Sequence, residues 1–181
     1  CLSCGQCVLS CPVGALVPKY CYKKVLNYIN DTEKVVVAFT SPAVRVALGE
    51  EFNSPDINVE GKMIAALKEL GFDYVLDTTF GADLTIMEEA SELISRIKEN
   101  KPLPQFTSCC PAWVRYLEIY HPNLIKHLST CKSPIGMQGA IIKSYFAEMM
   151  DIPKENLISV AITPCTAKKS EIKLPNSNDT D

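Results

Sequence analysis

Four cysteines stand within the first eleven residues, CLSCGQCVLSC, and a proline follows the last of them. Cys1, Cys4, Cys7 and Cys11 spell CxxCxxCxxxCP, a spacing at which a tight loop turns three thiolates toward one iron-sulfur cubane while the fourth reaches another. No other feature so narrows what the chain can fold into, because a segment whose sulfurs bind iron takes its shape from the metal as much as from a core. Zinc is the competing reading, but tetrahedral Cys4 sites usually come as two separated CxxC pairs without the trailing CPVGA. Disulfides compete poorly: nine cysteines in 181 residues is an odd count, below the density of a disulfide-stapled scaffold. A reducing compartment is the default expectation. Cys21 lies outside the run and reads as a small buried hydrophobe.

Beyond Pro18 the pattern changes to that of an α/β core. At 47% hydrophobic the chain can bury the interior of one domain, and no apolar run approaches the roughly 20 residues of a membrane span. A formal charge of −3, with both signs spread along the chain, leaves no basic stripe for a phosphate backbone, so nucleic acid is not an expected partner. KVVVAFT (34–40), DYVLDT (73–78), PQFTS (104–108) and LISVAIT (157–163) are short β-rich runs predicted as four strands. Helical patterns between them predict a mostly parallel sheet flanked by helices. VEGKMIAALKEL stops at Gly71, a fitting C-cap, and ADLTIMEEASELISRIKEN sets Leu84, Met87, Ala90, Ile94 and Ile97 along one apolar stripe. Both helices are predicted to cover the sheet. SPAVR, TSCCPAW and TPCTAKKSE each follow a predicted strand, and ligands of α/β sheets bind outside the carboxyl ends of the strands.

TSCCPAW (107–113) puts Cys109 and Cys110 side by side at a strand end, where neighbouring side chains point in different directions and can take different tasks. TPCTAKKSE (163–171) adds Cys165, two lysines and a glutamate; positive charge near a thiol favours the thiolate and suits an anionic cluster. With the cysteine run, SPAVRVALGEEF, GADLTIMEEASEL, TSCCPAW and PCTAKKSE standing in this order, the chain resembles the iron-only, or [FeFe], hydrogenases over nearly all of its length.

That resemblance implies an α/β fold: part of an H-cluster domain, with a mostly parallel sheet flanked by helices, preceded by half of a bacterial-type two-[4Fe-4S] ferredoxin-like domain. Residues 1–20 would be the C-terminal half of the ferredoxin-like domain and residues 21–181 the N-terminal part of the H-cluster domain. The implied cofactors are [4Fe-4S] clusters and an H-cluster, a cubane joined to a two-iron subsite with carbonyl, cyanide and bridging dithiolate ligands. By position, Cys1, Cys4 and Cys7 would share one [4Fe-4S] cluster and Cys11 serve a second, while Cys110 and Cys165 would be two ligands of the H-cluster cubane. Cys109 would be the thiol that passes protons to the bridging dithiolate. A thiol suits that task, since a reference pKa of about 8.5 leaves it mostly protonated at neutral pH yet able to exchange. Lys168 aligns with the lysine that pairs with a cyanide ligand, and Pro42 and Ala43 fall in the loop that touches the same ligands. Glu89, Glu92 and Arg96 hold the proton-path positions, with Ser129 between Cys109 and the outer acid. Helical offsets of three and four residues would independently bring Glu89, Glu92 and Arg96 onto one face. Read without the resemblance, Glu92 and Arg96 are an exposed pair worth a few tenths of a kcal/mol, and Cys109 is a packed small hydrophobe.

The family's third motif, with its two further cysteines, is absent, so the chain is expected to be an internal segment, inactive alone. Its parent would interconvert two protons and two electrons with H2, drawing electrons through [4Fe-4S] clusters from ferredoxin or another redox carrier. Maturation proteins are further expected partners, and the cytoplasm is the expected compartment, with the periplasm left open. Three positions depart from the family pattern: Thr163 where a Met usually precedes PC, Ile135 after KSP, and Cys131. Thr163 leaves room for an H2-sensing member. A competing class is the set of non-catalytic relatives in iron-sulfur protein assembly, which usually lack the first Cys of the TSCCP pair, so Cys109 favours a hydrogenase. His121 and His127 fall on a surface segment and are assigned to no metal.

Overall fold

VVVAFT is apolar on both of its faces, and such a strand is stable only when both are covered. In the computed structural model, which describes residues 1–54, 58–175 and 180, this segment is β1 (Val35–Thr40), the middle strand of a three-stranded sheet of order β2-β1-β3. Both neighbours, β2 (Tyr74–Asp77) and β3 (Leu157–Ile162), run parallel to it. The described helices are α1 (Gln6–Leu9), α2 (Tyr22–Ile29), α3 (Pro42–Glu51), α4 (Glu60–Glu69), α5 (Thr79–Lys98), α6 (Pro111–Tyr120), α7 (Pro134–Ile141), α8 (Ala147–Met149) and α9 (Lys168–Glu171). A 3-10 segment at Pro122–His127 follows α6, and a π-helical turn at Ile142–Phe146 joins α7 to α8. Among the described residues no helix is long and apolar enough to cross a membrane.

The chain gathers into two compact units. One comprises Lys19–Thr79 and Gln138–Pro164 and contains the sheet. On one face, Val36 and Ala38 of β1 and Ile158 and Val160 of β3 form a core with Phe72, against which Val25 and Ile29 of α2 and Leu67 of α4 pack. Gly71 ends α4 at a φ of 104°, and a Cβ there would lie 2.6 Å from Ile29 Cγ2, so only glycine lets the chain turn this close to α2. Elsewhere in this unit Leu157 and Ile142 are fully buried, and the Tyr74 and Phe146 rings meet edge to face at 5.1 Å. Past the carboxyl ends of β1 and β2, Arg45 of α3 bridges Asp77 at 2.8 Å and Glu60 at 3.1 Å. Burial raises the Asp77 carboxyl, but the Thr79 amide and hydroxyl and the Arg45 guanidinium outweigh it and hold Asp77 below the usual carboxylate range. Cys21 is exposed, not buried: it stands ahead of the first turn of α2, whose apolar face is made by Val25, Tyr28 and Ile29, and its thiol donates to the Lys19 carbonyl at 3.7 Å.

The other unit comprises Cys1–Pro18, Phe80–Met137 and the described residues from Cys165 to Pro175. Two expectations fail in it. PQFTS is no strand; Phe106 makes a single parallel bridge with Leu128, its N–H donating to the His127 carbonyl and its carbonyl accepting from the Ser129 N–H, both at 2.7 Å. A longer ladder does not form because Pro104 has no N–H and because the Ile125 carbonyl that it would meet accepts from the Leu128 N–H at 3.0 Å. The second failure is the apolar stripe of α5. Met87, Ala90, Ile94 and Ile97 are exposed and Leu84 is half-buried, whereas Gly81, Thr85 and Arg96 are buried and Glu89 and Glu92 half-buried. The helix turns its polar side inward because the carbonyls and hydroxyls of residues 102–131 bind the charged groups there.

Candidate functional site

Three cysteine-bearing segments meet within the unit that holds α5. In the TSCCPAW segment, Pro111 occupies the first position of α6 and, as the residue ahead of a proline, Cys110 is driven into extended backbone at φ −99°, ψ 109°. Cys109 and Cys110 are both exposed, so Cys109 is no packed hydrophobe; its sulfur lies 3.7 Å from the Thr107 hydroxyl oxygen. Half-buried Cys165 lies just ahead of α9, which packs against α6. Lys168 ties the two segments: its ammonium donates to the Cys109 carbonyl at 2.7 Å and pairs with Glu171 at 2.6 Å. The N-terminal run joins them through the Thr166 hydroxyl, which donates to the Ser3 carbonyl at 2.8 Å. In that run Ser3 and Gly5 take positive φ of 57° and 81°, and a Cβ on Gly5 would stand 2.8 Å from Thr166 Oγ1. Cys1, Cys4 and Cys7 are exposed and Cys11 is half-buried. Backbone N–H groups of Leu16, Val13 and Ala15 lower the Cys11 thiol below its ordinary value, and the Ala15 N–H lies 3.3 Å from its sulfur.

A second cluster centres on Glu92. Its Oε1 accepts from Arg96 Nε at 2.9 Å and Nη2 at 2.7 Å, and its Oε2 from the Ser129 hydroxyl at 2.7 Å and the Thr130 N–H at 3.0 Å. Arg96 and Ser129 are each 6% exposed, so this is not the solvated ion pair that spacing alone suggested. Burial raises Glu92, but the Ser129 hydroxyl, Arg96 and the Thr130 N–H together hold it below the usual carboxylate range. Three residues ahead, Glu89 Oε1 is buried without a hydrogen-bond partner, while the Glu89 carbonyl accepts from Gln105 Nε2 at 3.0 Å. Pro42 and Ala43 open α3 directly after β1, in the unit that holds the sheet.

Residues 34–181 match the family model for the C-terminal domain of the iron-only hydrogenase large subunit. The chain belongs to that family. It is 48% identical over 182 residues to the NADP-reducing hydrogenase subunit HndD of Solidesulfovibrio fructosivorans, covering 97% of this chain and 31% of the relative. To the periplasmic [Fe] hydrogenase large subunit of Nitratidesulfovibrio vulgaris it is 50% identical over 151 residues, covering 82% of this chain and 36% of the relative. The chain thus spans about a third of the length of these relatives. A solved structure reporting stepwise [FeFe]-hydrogenase H-cluster assembly superposes with a TM-score of 0.79 at 42% identity, over 85% of this chain and 40% of that one. The parallel sheet flanked by helices is therefore that of the H-cluster domain. A cytosolic Fe-S cluster assembly factor of Candida dubliniensis is more distant, at 33% identity over 183 residues, 99% of this chain and 31% of that protein.

The donor chemistry fits the iron-sulfur groups of this family. All nine cysteines are free thiols, the soft ligand such clusters take, and the N–H groups around Cys11 favour its thiolate. Among the described residues no three Cys, His, Asp or Glu side chains stand close enough to form a ligand set. His121 lies against the Tyr116 hydroxyl at 3.2 Å and His127 Nδ1 against the Pro104 carbonyl at 2.9 Å. Of the three departures, Ile135 is buried in α7, Thr163 is half-buried, and Cys131 joins the Glu92 cluster, a placement that sequence reading missed although the residue lies two positions beyond Ser129.

Proposed function

We propose that the chain works as part of an iron-only hydrogenase, in the reversible interconversion of two protons and two electrons with H2. The single contact that most supports this reading is the Lys168 ammonium on the Cys109 carbonyl at 2.7 Å, which draws the TSCCPAW and PCTAKKSE segments together. Cys110 and Cys165 would hold the H-cluster cubane together with thiolates from beyond these 181 residues. Cys1, Cys4 and Cys7 would share one [4Fe-4S] cluster and Cys11 serve a second, with residues 1–20 as half of a ferredoxin-like domain and 21–181 as part of the H-cluster domain. Lys168 would face a cyanide ligand of the two-iron subsite. When bound, the H-cluster supplies the iron site at which protons and electrons combine.

The chain's own side chains serve proton transfer. Lys168 fixes the Cys109 backbone, leaving its exposed thiol to exchange protons. The buried, unpartnered Oε1 of Glu89 is an open acceptor, and the Ser129 hydroxyl already donates to Glu92. Arg96 anchors the outer acid. Electrons would come from ferredoxin or another redox carrier, and maturation proteins would deliver the two-iron subsite. One relative is named as periplasmic, so the cytoplasm and the periplasm both suit this reading.

The test is anaerobic production of the full-length protein with the maturation machinery, followed by H2 measurement with reduced methyl viologen and infrared detection of iron-bound carbonyl and cyanide. H2 output with those bands is expected. A protein with full cubane iron, no such bands and no H2 would belong with the non-catalytic relatives instead.

A further inference from the structure

Cys131 touches the relay at three points. Its N–H donates to the Ser129 hydroxyl oxygen at 3.2 Å, its thiol donates to Glu92 Oε2 at 3.7 Å, and its carbonyl accepts from the Ser108 hydroxyl at 2.9 Å. Ser108 belongs to the segment that carries Cys109, so one residue spans the inner thiol segment, the serine and the outer acid. A hydroxyl has one proton to donate and two lone pairs. With one lone pair of Ser129 held by the Cys131 N–H, its proton is left to Glu92, where it lies at 2.7 Å. Glu92 Oε2 also faces the Thr130 N–H at 3.0 Å and the Thr130 hydroxyl at 3.3 Å, so the Cys131 thiol is one of four donors gathered on that oxygen. Burial foremost, together with the charges of Glu92 and Glu89, raises the Cys131 thiol and keeps it protonated and able to donate.

A cavity of about 260 Å³ is lined among others by Ser108, Ser129, Thr130 and Cys131. At roughly 30 Å³ per water it can hold several molecules. Without the thiol, water from this cavity would reach Glu92 Oε2, and a water can turn and offer either a proton or a lone pair.

We propose that Cys131 is a positioning residue of the relay: its amide holds the Ser129 oxygen and its thiol caps the Glu92 carboxylate, so that the serine proton stays aimed at Glu92. This rests on the proton-transfer reading above, and its first test needs no cluster. In the reduced full-length protein, the infrared S–H band missing from Cys131→Ala lies below the frequency it takes in the urea-unfolded protein, and Glu92→Gln moves it up. Should Glu92→Gln fail to fold, the comparison with unfolded chain still reads the bond. In the full-length protein carrying its clusters, Cys131→Ala lowers H2 turnover by about two- to tenfold, the range expected for one hydrogen bond. Iron content and the carbonyl and cyanide bands stay as in the parent, and the solvent deuterium isotope effect rises. An S–H band at the unfolded-chain frequency overturns the assignment, as does an alanine variant with parental turnover and isotope effect. Absence of H2 from the parent itself counts against the hydrogenase reading and leaves the thiol-band test standing.

Discussion

Removing the Arg96 guanidinium should unfold the protein far more readily than spacing alone would suggest. Arg96 donates to both a carboxylate and the backbone: besides Glu92 Oε1, it reaches the carbonyls of Lys126 at 3.0 Å, Leu128 at 2.5 Å and Pro102 at 3.4 Å. Arg96→Met keeps most of the stem's bulk and deletes every donor. Stripping one partner from a buried ion pair costs about 3–5 kcal/mol. Glu92, 16% exposed, keeps the Ser129, Thr130 and Cys131 donors on its other oxygen, which argues for the lower end, about 3 kcal/mol. Carbonyls left without a partner add about 1 kcal/mol wherever water does not replace the lost bond, for a total of about 4 kcal/mol. Urea unfolding followed by the fluorescence of Trp113, the one tryptophan of the chain, reads this under reducing anoxic conditions. At a slope of about 2 kcal/mol per molar urea, the midpoint falls by roughly 2 M. Adding Glu92→Gln removes the stranded charge and should recover about 1–2 kcal/mol of the loss. A single variant within about 0.5 kcal/mol of the parent would mean that the pair behaves as an exposed one. A double variant no better than the single would mean that the stranded carboxylate is not the cause.

Gly71→Ala should destabilise by about 1–3 kcal/mol, because the new Cβ meets Ile29 Cγ2 at 2.6 Å on a backbone with φ of 104°, and the urea midpoint checks it. Asp77 and Glu92 are both depressed in the fold, so their stabilisation is present above the unfolded carboxylate range and lost as pH falls through the folded values, below about 4. Urea midpoints measured from neutral pH downward should therefore drop in that window, and a midpoint that holds steady or rises there would contradict the assignment. In the full-length protein Cys109→Ala should abolish H2 turnover while iron content is retained, and Cys109→Asp should keep part of it, since a carboxylate also carries protons; loss of iron in the alanine variant would make Cys109 a structural residue.

What could be read from the sequence was what local chemistry decides. Consecutive valines placed β1, and β2 and β3 came within a residue of their observed bounds. Gly71 ended α4 as its capping role required. The cysteine motifs carried the family because their spacing is a chemical requirement and not a packing preference. PQFTS misled because β-propensity describes fitness for a pleated surface and says nothing about which groups will take the ladder's carbonyls. That answer lies at Pro104, which has no N–H to offer, and in the 3-10 segment before Leu128, whose turn already takes the Ile125 carbonyl. Cys21 misled because the burial habit of free cysteine is a tendency of the residue type, and position ahead of a helix overrode it.

The inversion of α5 has a different origin. An amphipathic helix is normally read by assuming that its apolar stripe faces the protein, since burying that stripe is what stabilises it. Within these 181 residues, about a third of the relatives' length, the stripe of Met87, Ile94 and Ile97 is 54–66% exposed while Arg96 is 6% exposed. Burying a guanidinium and a carboxylate lowers no folding free energy that well-packed leucines would not lower further. The polar side faces inward because partners for it exist there in full: three carbonyls for Arg96, and the Ser129, Thr130 and Cys131 donors for Glu92. Those partners come from residues 102–131, distant enough in sequence that no periodicity within the helix can announce them. One signal was nevertheless present. The inward residues Gly81, Thr85, Glu89, Glu92 and Arg96 recur at spacings of four, four, three and four, a helical stripe of its own, as regular as the apolar one beside it. A helix with two regular stripes of opposite polarity does not declare its inner side by hydrophobicity. It is decided by which stripe finds its complement elsewhere in the chain, and when the polar one does, the helix is built to hold charge in a fixed place.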